Sequence, residues 1–442
     1  MNLIIKSNYT PFKLIVGLLF IFITFSFDKL QIISTVTIPI IITYLFFLSK
    51  KEKIALDDFY KLIFYTLIFS STSSGHIFKI ILIALIFFLT LSKKKLKYKH
   101  YYEKLTLLFF LLITINFALF SPHFKGLDIL IYFFLIPLLF ILLKKKNVLI
   151  SVNTTIKAFV LSCFTQSLLL VVLNLINGTL IKKTNPLFSI LIDLHHVYYG
   201  MFLAISIILI SYSWINSRKK IFSTYWDLLL VLFHTVILLY IGARTSILAT
   251  GIVLFILFFK KTNYTLIKKL TVTILLMSVA VFLIVKSPRF KQGLNEVEKL
   301  TTIIKNNDKE ALVKESWKNI PMRYLTYKYT FSELKKHWVL GIGMQNVVDK
   351  ISDKIVDDGY IYFLPKNTHN QYLHFFIGMG IFGFSFFIFL LLKFAINHDN
   401  NLYVLLFLLI VMLTESILVR GKGILLFTFF NLLFVNRKIW ND

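Results

Sequence analysis

Apolar residues in this chain arrive in blocks, most of roughly 15 to 22 residues with few or no charges, and a helix needs ~20 residues to cross a ~30 Å hydrocarbon core. Hydrocarbon offers the backbone no water to bond, so such blocks fold as helices. About fourteen blocks meet the length requirement. They lie near 11–27, 30–48, 60–75, 76–92, 105–120, 127–143, 156–177, 197–215, 226–241, 244–259, 265–286, 371–392, 400–417 and 422–436. The third and fourth are short and separated only by Ser71–Gly75, which leaves a re-entrant hairpin as the alternative. The expected fold class is an all-α polytopic membrane protein with about 12–14 transmembrane helices. A mean hydropathy of +0.77 and 57% hydrophobic residues over 442 positions agree with it.

A formal charge of +28 would point to nucleic acid in a soluble protein, but here the basic residues cluster at block ends. Lys50, Lys51 and Lys53, Lys93 to Lys99, Lys144 to Lys146, Arg218 to Lys220, Lys260 with Lys261, Lys268 with Lys269, and Arg437 with Lys438 all follow even-numbered blocks or precede odd ones. About 22 Lys and Arg in short loops then fall on one side and about 7 on the other, which reads as cytoplasmic N- and C-termini. Membrane lipids are the expected environment, and no nucleic-acid partner is expected. The single cysteine, Cys163, lies inside an apolar block, so no disulfide framework or thiolate metal site is expected, only packing. The first block lacks a small-residue cleavage site and serves as the first span.

The alternation divides the chain into helices at 1–286, a long polar loop at 287–370 outside the cytoplasm, and helices at 371–442. Within the loop, Gly293 to Asn307 and Pro321 to Lys336 read as helices, the second with Pro321 at its first position and Asn319 as a cap. Gly341-Ile342-Gly343 breaks the pattern, and Val347 to Lys366 reads as irregular with a turn at Asp357-Asp358-Gly359.

That same face collects His195, His196, Arg244, Arg323, His369, Glu415 and Arg420. Arg244, at a span boundary, has a guanidinium able to hold a diphosphate; the alternative is an arginine snorkelling at the interface. Arg323 is either a second clamp or part of a solvated helix face. His369 lies where polar loop meets the apolar run from Tyr372. With Thr368 or Asn367 as cap it would sit in the first helical turn, where the positive dipole end favours a neutral, proton-accepting imidazole. The alternative is a histidine that merely caps or anchors. His195 and Glu415 would line an acceptor path, or be an interfacial histidine and an ion pair with Arg420 or Lys422.

Gly378-Met379-Gly380-Ile381-Phe382-Gly383 fits the dinucleotide pattern G-x-G-x-x-G but lies in an apolar block with no strand before it. Close helix packing is the expected use of these small residues. His195-His196 is half a metal site with few ligands nearby, so neither metal nor other cofactor is expected.

His369-Asn370, nine residues, then Gly380-Ile381-Phe382-Gly383 resembles the H-N-x9-G-x-x-G signature of the O-antigen ligase family of bacterial inner-membrane glycosyltransferases. Gly242 to Ala249 is similar to that family's arginine-bearing segment. Arg323 followed by Lys336-His337-Trp338-Val339-Leu340-Gly341-Ile342-Gly343 resembles the end of its periplasmic loop. The likeness runs from the eighth span onward. It implies a metal-independent glycosyltransferase with a GT-C-like membrane fold in the bacterial inner membrane. The donor would be an undecaprenyl-diphosphate-linked glycan, and the acceptor lipid A core, a growing polysaccharide or a protein. By the same resemblance His369 is the base, Arg244 and Arg323 hold the diphosphate, Asn370 belongs to the substrate site, and Gly380 and Gly383 are structural. The competing class is a flippase or transporter for lipid-linked glycans, which would place charged residues near the bilayer midplane.

Overall fold

The computed structural model describes residues 31–51, 56–72, 75–91, 100–120, 127–176, 195–215, 220–261, 265, 267, 288–316, 318–360, 367–396 and 399–436. The expected spans at 11–27 and 265–286 fall largely or wholly outside them. Among the described residues there is no strand. The first half of the chain supplies α1 (Gln31–Lys51), α2 (Leu56–Phe69), α3 (Gly75–Leu91), α4 (Tyr101–Phe120), α5 (Tyr132–Lys145), α6 (Val152–Ile176) and α7 (His196–Ile215). Next come α8 (Thr224–Ile241) and α9 (Arg244–Lys261), then the loop helices α10 (Pro288–Lys305), α11 (Lys309–Glu315), α12 (Asn319–His337) and α13 (Val347–Asp357). Last are α14 (Gln371–Ile396), α15 (Asp399–Met412) and α16 (Gly421–Val435).

Five of the described helices, α4, α6, α7, α8 and α14, are long and apolar enough to cross a membrane, and shorter apolar helices occur at 37–47, 77–91, 402–412 and 421–435. The protein is a polytopic helical membrane protein. The short third and fourth blocks form α2 and α3, packed on each other through a 3-10 turn at Ser70–Thr72. One large core of Phe, Leu and Ile joins these helices. Phe109 of α4, wholly buried, meets Phe133 of α5 and Phe375 and Phe387 of α14 at ring separations of 5.4 to 5.7 Å. A buried ion pair, Lys144 Nζ to Glu103 Oε1 at 2.6 Å, ties α5 to α4, and Asn436 Nδ2 donates to the same oxygen at 2.9 Å. That added hydrogen bond offsets part of the cost of taking two charges out of water.

Local chemistry places the corner that carries Arg244. Ser223 caps α8 by accepting from Trp226 N, and Gly242, left-handed at φ 68°, ends it by donating to Leu238 O and Leu239 O. Two residues later α9 begins at Arg244 itself. Gly200 of α7 faces this corner so closely that a Cβ there would lie 2.4 Å from the Ala243 Cβ.

A second, smaller core holds the loop helices together around Leu325, Val347, Ile351 and Ile355. Residues 347–357, expected to be irregular, are the helix α13: Val347, Ile351 and Ile355 recur every fourth residue and bury one face. The turn at Asp357-Asp358-Gly359 is present, with Gly359 at φ 92°. The helix expected from Pro321 starts at Asn319, so Asn319 is inside it and Lys318 stands at the cap position. Pro321 then occupies the first turn, where its missing N–H leaves no bond unmade. The short α11 was not expected; Asp308 caps it by accepting from Ala311 N.

Candidate functional site

α14 is broken at Gly380, whose φ of 65° and ψ of −171° are open to glycine and strained for other residues. The break frees backbone groups that an unbroken helix would pair, and the end of the loop pairs them instead. Ile342 N donates to Ile377 O at 2.9 Å, Gly343 N to Gly378 O at 3.0 Å, and Ile381 N to Trp338 O at 2.9 Å. The approach leaves no room for side chains. A Cβ on Gly380 would lie 2.1 Å from Val339 O, and one on Gly341 2.6 Å from Gly378 O. Asn116 of α4 locks the joint, donating to Gly378 O at 3.1 Å and accepting from Met344 N at 2.9 Å. The expectation of helix-on-helix packing is therefore corrected: Gly380 seats the backbone of the loop, Gly378 makes room for Met344 at the loop's end, and Gly383 makes room for the Met379 side chain of its own helix.

Asn370, not Thr368 or Asn367, caps α14, its Oδ1 accepting from Leu373 N at 3.0 Å. His369 accordingly stands outside the first turn, in the left-handed region at φ 50°. Asn367 Oδ1 holds it there by accepting from His369 N at 2.7 Å, and the Tyr327 hydroxyl donates to His369 O at 3.1 Å. Burial pushes the Tyr327 phenol up, against the opposing pull of Arg323, which keeps it a donor.

The turn between α15 and α16 assembles the rest. Glu415 Oε1 accepts from Arg323 Nη2 at 2.8 Å, and its Oε2 lies 3.5 Å from His369 Nδ1. Arg323 Nη1 donates to Thr414 O at 2.7 Å. Asn370 Nδ2 donates to Leu413 O and Asn370 N to Ser416 Oγ, at 3.1 and 3.2 Å. Leu418 N donates to Gln371 Oε1 at 2.6 Å. Burial pushes the Glu415 carboxyl up, but the facing His369 ring and the Arg323 charge outweigh it and hold it below the ordinary carboxylate range.

These contacts revise two readings. Arg323 does not belong to a solvated helix face; its side chain is 29% exposed and spans two acceptors. Glu415 pairs with Arg323 and His369, whereas Lys422 donates to Ser71 O at 2.8 Å and Arg420 stands exposed at the cap position of α16. The nearest charge to the His369 ring is thus a carboxylate and not a helix end.

Arg244 is the exposed first residue of α9, and α10 passes over it, with a Cβ on Gly293 falling 3.7 Å from its Nη1. The neighbouring Thr245 hydroxyl bonds the Thr414 hydroxyl at 3.1 Å, so the Arg244 corner is fastened to the same turn. His195 immediately precedes α7, exposed, its ring centroid 4.2 Å from that of His196. Among the described residues no three of His, Cys, Asp and Glu gather as a metal-ligand set.

The arrangement places a histidine, a carboxylate and two guanidinium-bearing segments around one turn at the ends of apolar helices. Sequence reading singled out His369, Asn370, Arg323 and Arg244, which the structure brings to this turn, and left Glu415 without an assigned partner. Ser416 and Thr414 went unnoticed, since neither carries a pattern of its own. Residues 228–388 match the family model described as O-antigen ligase. That span includes Arg244, Arg323, His369, Asn370, Gly380 and Gly383 and stops short of the turn at 413–418. No curated protein matches the chain.

Proposed function

We propose, from the premise that residues 228–388 belong to the O-antigen ligase family, that the chain transfers a glycan from undecaprenyl diphosphate to an acceptor hydroxyl at the periplasmic face of a bacterial inner membrane. The acceptor is lipid A core, with a growing polysaccharide or a protein as the alternatives within the family. The observation that carries the reading is the meeting of His369, Arg323 and the Arg244 corner at the turn bearing Glu415.

The His369 imidazole takes the proton of the acceptor hydroxyl as its oxygen attacks the anomeric carbon. The bond from that carbon to the diphosphate breaks, and its electron pair leaves with the diphosphate. Sugar transfer of this kind passes through an oxocarbenium-like transition state, so negative charge grows on the departing oxygen. Fixed cations stabilise it most when they need not reorganise. Arg323 is suited to this: a guanidinium has five N–H donors, and Glu415 and Thr414 engage only two nitrogens of it. Arg244 supplies the second cation, and together they provide the charge that a metal ion would otherwise bring. His195 lines the acceptor path, and the polyprenyl tail lies between apolar helices.

A flippase is the competing class. Its charged groups would sit near the bilayer midplane, whereas Arg244 begins α9, His369 precedes α14 and Glu415 follows α15. The test is transfer from purified undecaprenyl-diphosphate glycan to lipid A core in EDTA, run beside donor movement across liposomes. Product from wild type supports the transferase; protein-dependent donor movement without product from any acceptor overturns it.

A further inference from the structure

Glu415 lies outside the span matched by the family model, yet it touches both groups on which the reaction depends. Its two oxygens are divided between them. Oε1 is taken by Arg323 Nη2 at 2.8 Å, and Oε2 faces His369 Nδ1 at 3.5 Å, with the carboxylate and the ring both largely buried. The turn itself is held from three directions, by Thr245 on Thr414, by Asn370 on Leu413 and Ser416, and by Gln371 on Leu418. The backbone of His369 is held by Asn367 and Tyr327. The main chain on both sides of the contact is therefore fixed.

An ionised carboxylate only accepts hydrogen bonds. Facing Nδ1, it selects the tautomer with the proton on Nδ1. We propose that Glu415 is the positioning residue of the site, fixing His369 so that Nε2 is the nitrogen left to take the acceptor proton while Arg323 is held beside it. This rests on the reading of His369 as the base. In the step, the proton passes from the acceptor oxygen to Nε2, that oxygen forms the new glycosidic bond, and the diphosphate departs with the electrons of the old one. Glu415 exchanges no proton; it stabilises the charged ring that results, as an orienting carboxylate does behind a catalytic histidine.

Glu415→Gln separates this role from simple structural support. Arg323 has no acceptor atom, so it keeps the amide oxygen and turns the NH2 group towards Nδ1. Nδ1 must then accept, the proton moves to Nε2, and the base is lost although the ion-pair partner is still hydrogen-bonded. The expected result is a fall in kcat of roughly 100-fold or more with little change in KM for the donor. Glu415→Asp, which keeps the charge, recovers part of the loss.

The tautomer is read without turnover by nitrogen-15 NMR of histidine-labelled protein in lipid, at a pH where the ring is neutral, with His369→Ala supplying the assignment. Wild type shows the proton on Nδ1 and Glu415→Gln shows it on Nε2. A proton on Nδ1 in Glu415→Gln, or kcat at the wild-type level in that variant, overturns the proposal. Should Glu415→Gln not fold, an Nε2–H ring in wild type or in Glu415→Asp overturns it equally, and Nδ1–H in both supports it. Absence of transfer by wild type would sink the reading of function, while the tautomer still judges the role of Glu415.

Discussion

Thr245 and Thr414, 169 positions apart, meet through their hydroxyls at 3.1 Å, and this bond fastens the Arg244 corner to the turn that carries Glu415. A hydrogen bond of this kind contributes about 0.5–1.5 kcal/mol, or roughly 2- to 10-fold in an equilibrium constant. Thr245→Val keeps the shape and removes the bond. Its expected effect is a rise of that size in KM for the donor, with kcat much less affected; steady-state kinetics on both substrates check it.

Gly380 is fixed by two independent demands, a φ of 65° and a gap of 2.1 Å between an added Cβ and Val339 O. Gly380→Ala should cost at least about 1–3 kcal/mol from backbone strain alone, with more from the steric clash. Gly251, in the interior of α9, is the control, because a Cβ added there would meet nothing within 4 Å. Gly251→Ala should be neutral or stabilise by about 0.5–1 kcal/mol. Thermal unfolding in detergent compares the two.

Asn116 satisfies Met344 N and Gly378 O from a helix more than two hundred residues away. Removing its amide leaves Met344 N buried without that acceptor, a loss of about 1–3 kcal/mol. Asn116→Ala should lower Tm and increase proteolysis of the 338–344 segment. An unchanged Tm would show that the joint between loop and α14 is held without it.

Acid should loosen the site only late. The Glu415 carboxyl is raised by burial, yet held below its ordinary value by His369 and Arg323. Its folded value therefore lies under the unfolded one, so its stabilisation is complete above the ordinary glutamate range of about 4.3 and is lost as pH falls through the folded value. Wild-type Tm should carry an acid-side decline below that range, and Glu415→Gln should lack this part of the decline. Melting curves between neutral pH and the acid limit measure it.

The polytopic helical class was legible because block length reports it; of the fourteen or so expected spans, five are described helices long and apolar enough to cross a membrane and four are shorter apolar helices. The long loop was legible as a polar gap, but α13 was not, although Val347, Ile351 and Ile355 carry a helical repeat; the acidic and turn residues around them obscured it. His369 was singled out by its motif but expected inside the first helical turn, whereas it precedes the cap. The difference matters physically, because Asn370 takes the cap and leaves His369 in a left-handed turn against Glu415. Glu415 itself stayed ambiguous since its partners lie 92 and 46 residues away in sequence, beyond any local pattern. Gly380 and Gly383 were read as structural, yet only three-dimensional contact shows that Gly380 receives backbone from the loop.

The most direct test separates donor binding from transfer in His369→Ala. If His369 is the base and the guanidinium groups hold the diphosphate, the variant should bind undecaprenyl-diphosphate glycan with a Kd close to wild type while single-turnover transfer falls by roughly 100-fold or more. Transfer at the wild-type rate by a folded His369→Ala protein would contradict the assignment of the base and with it the site described above.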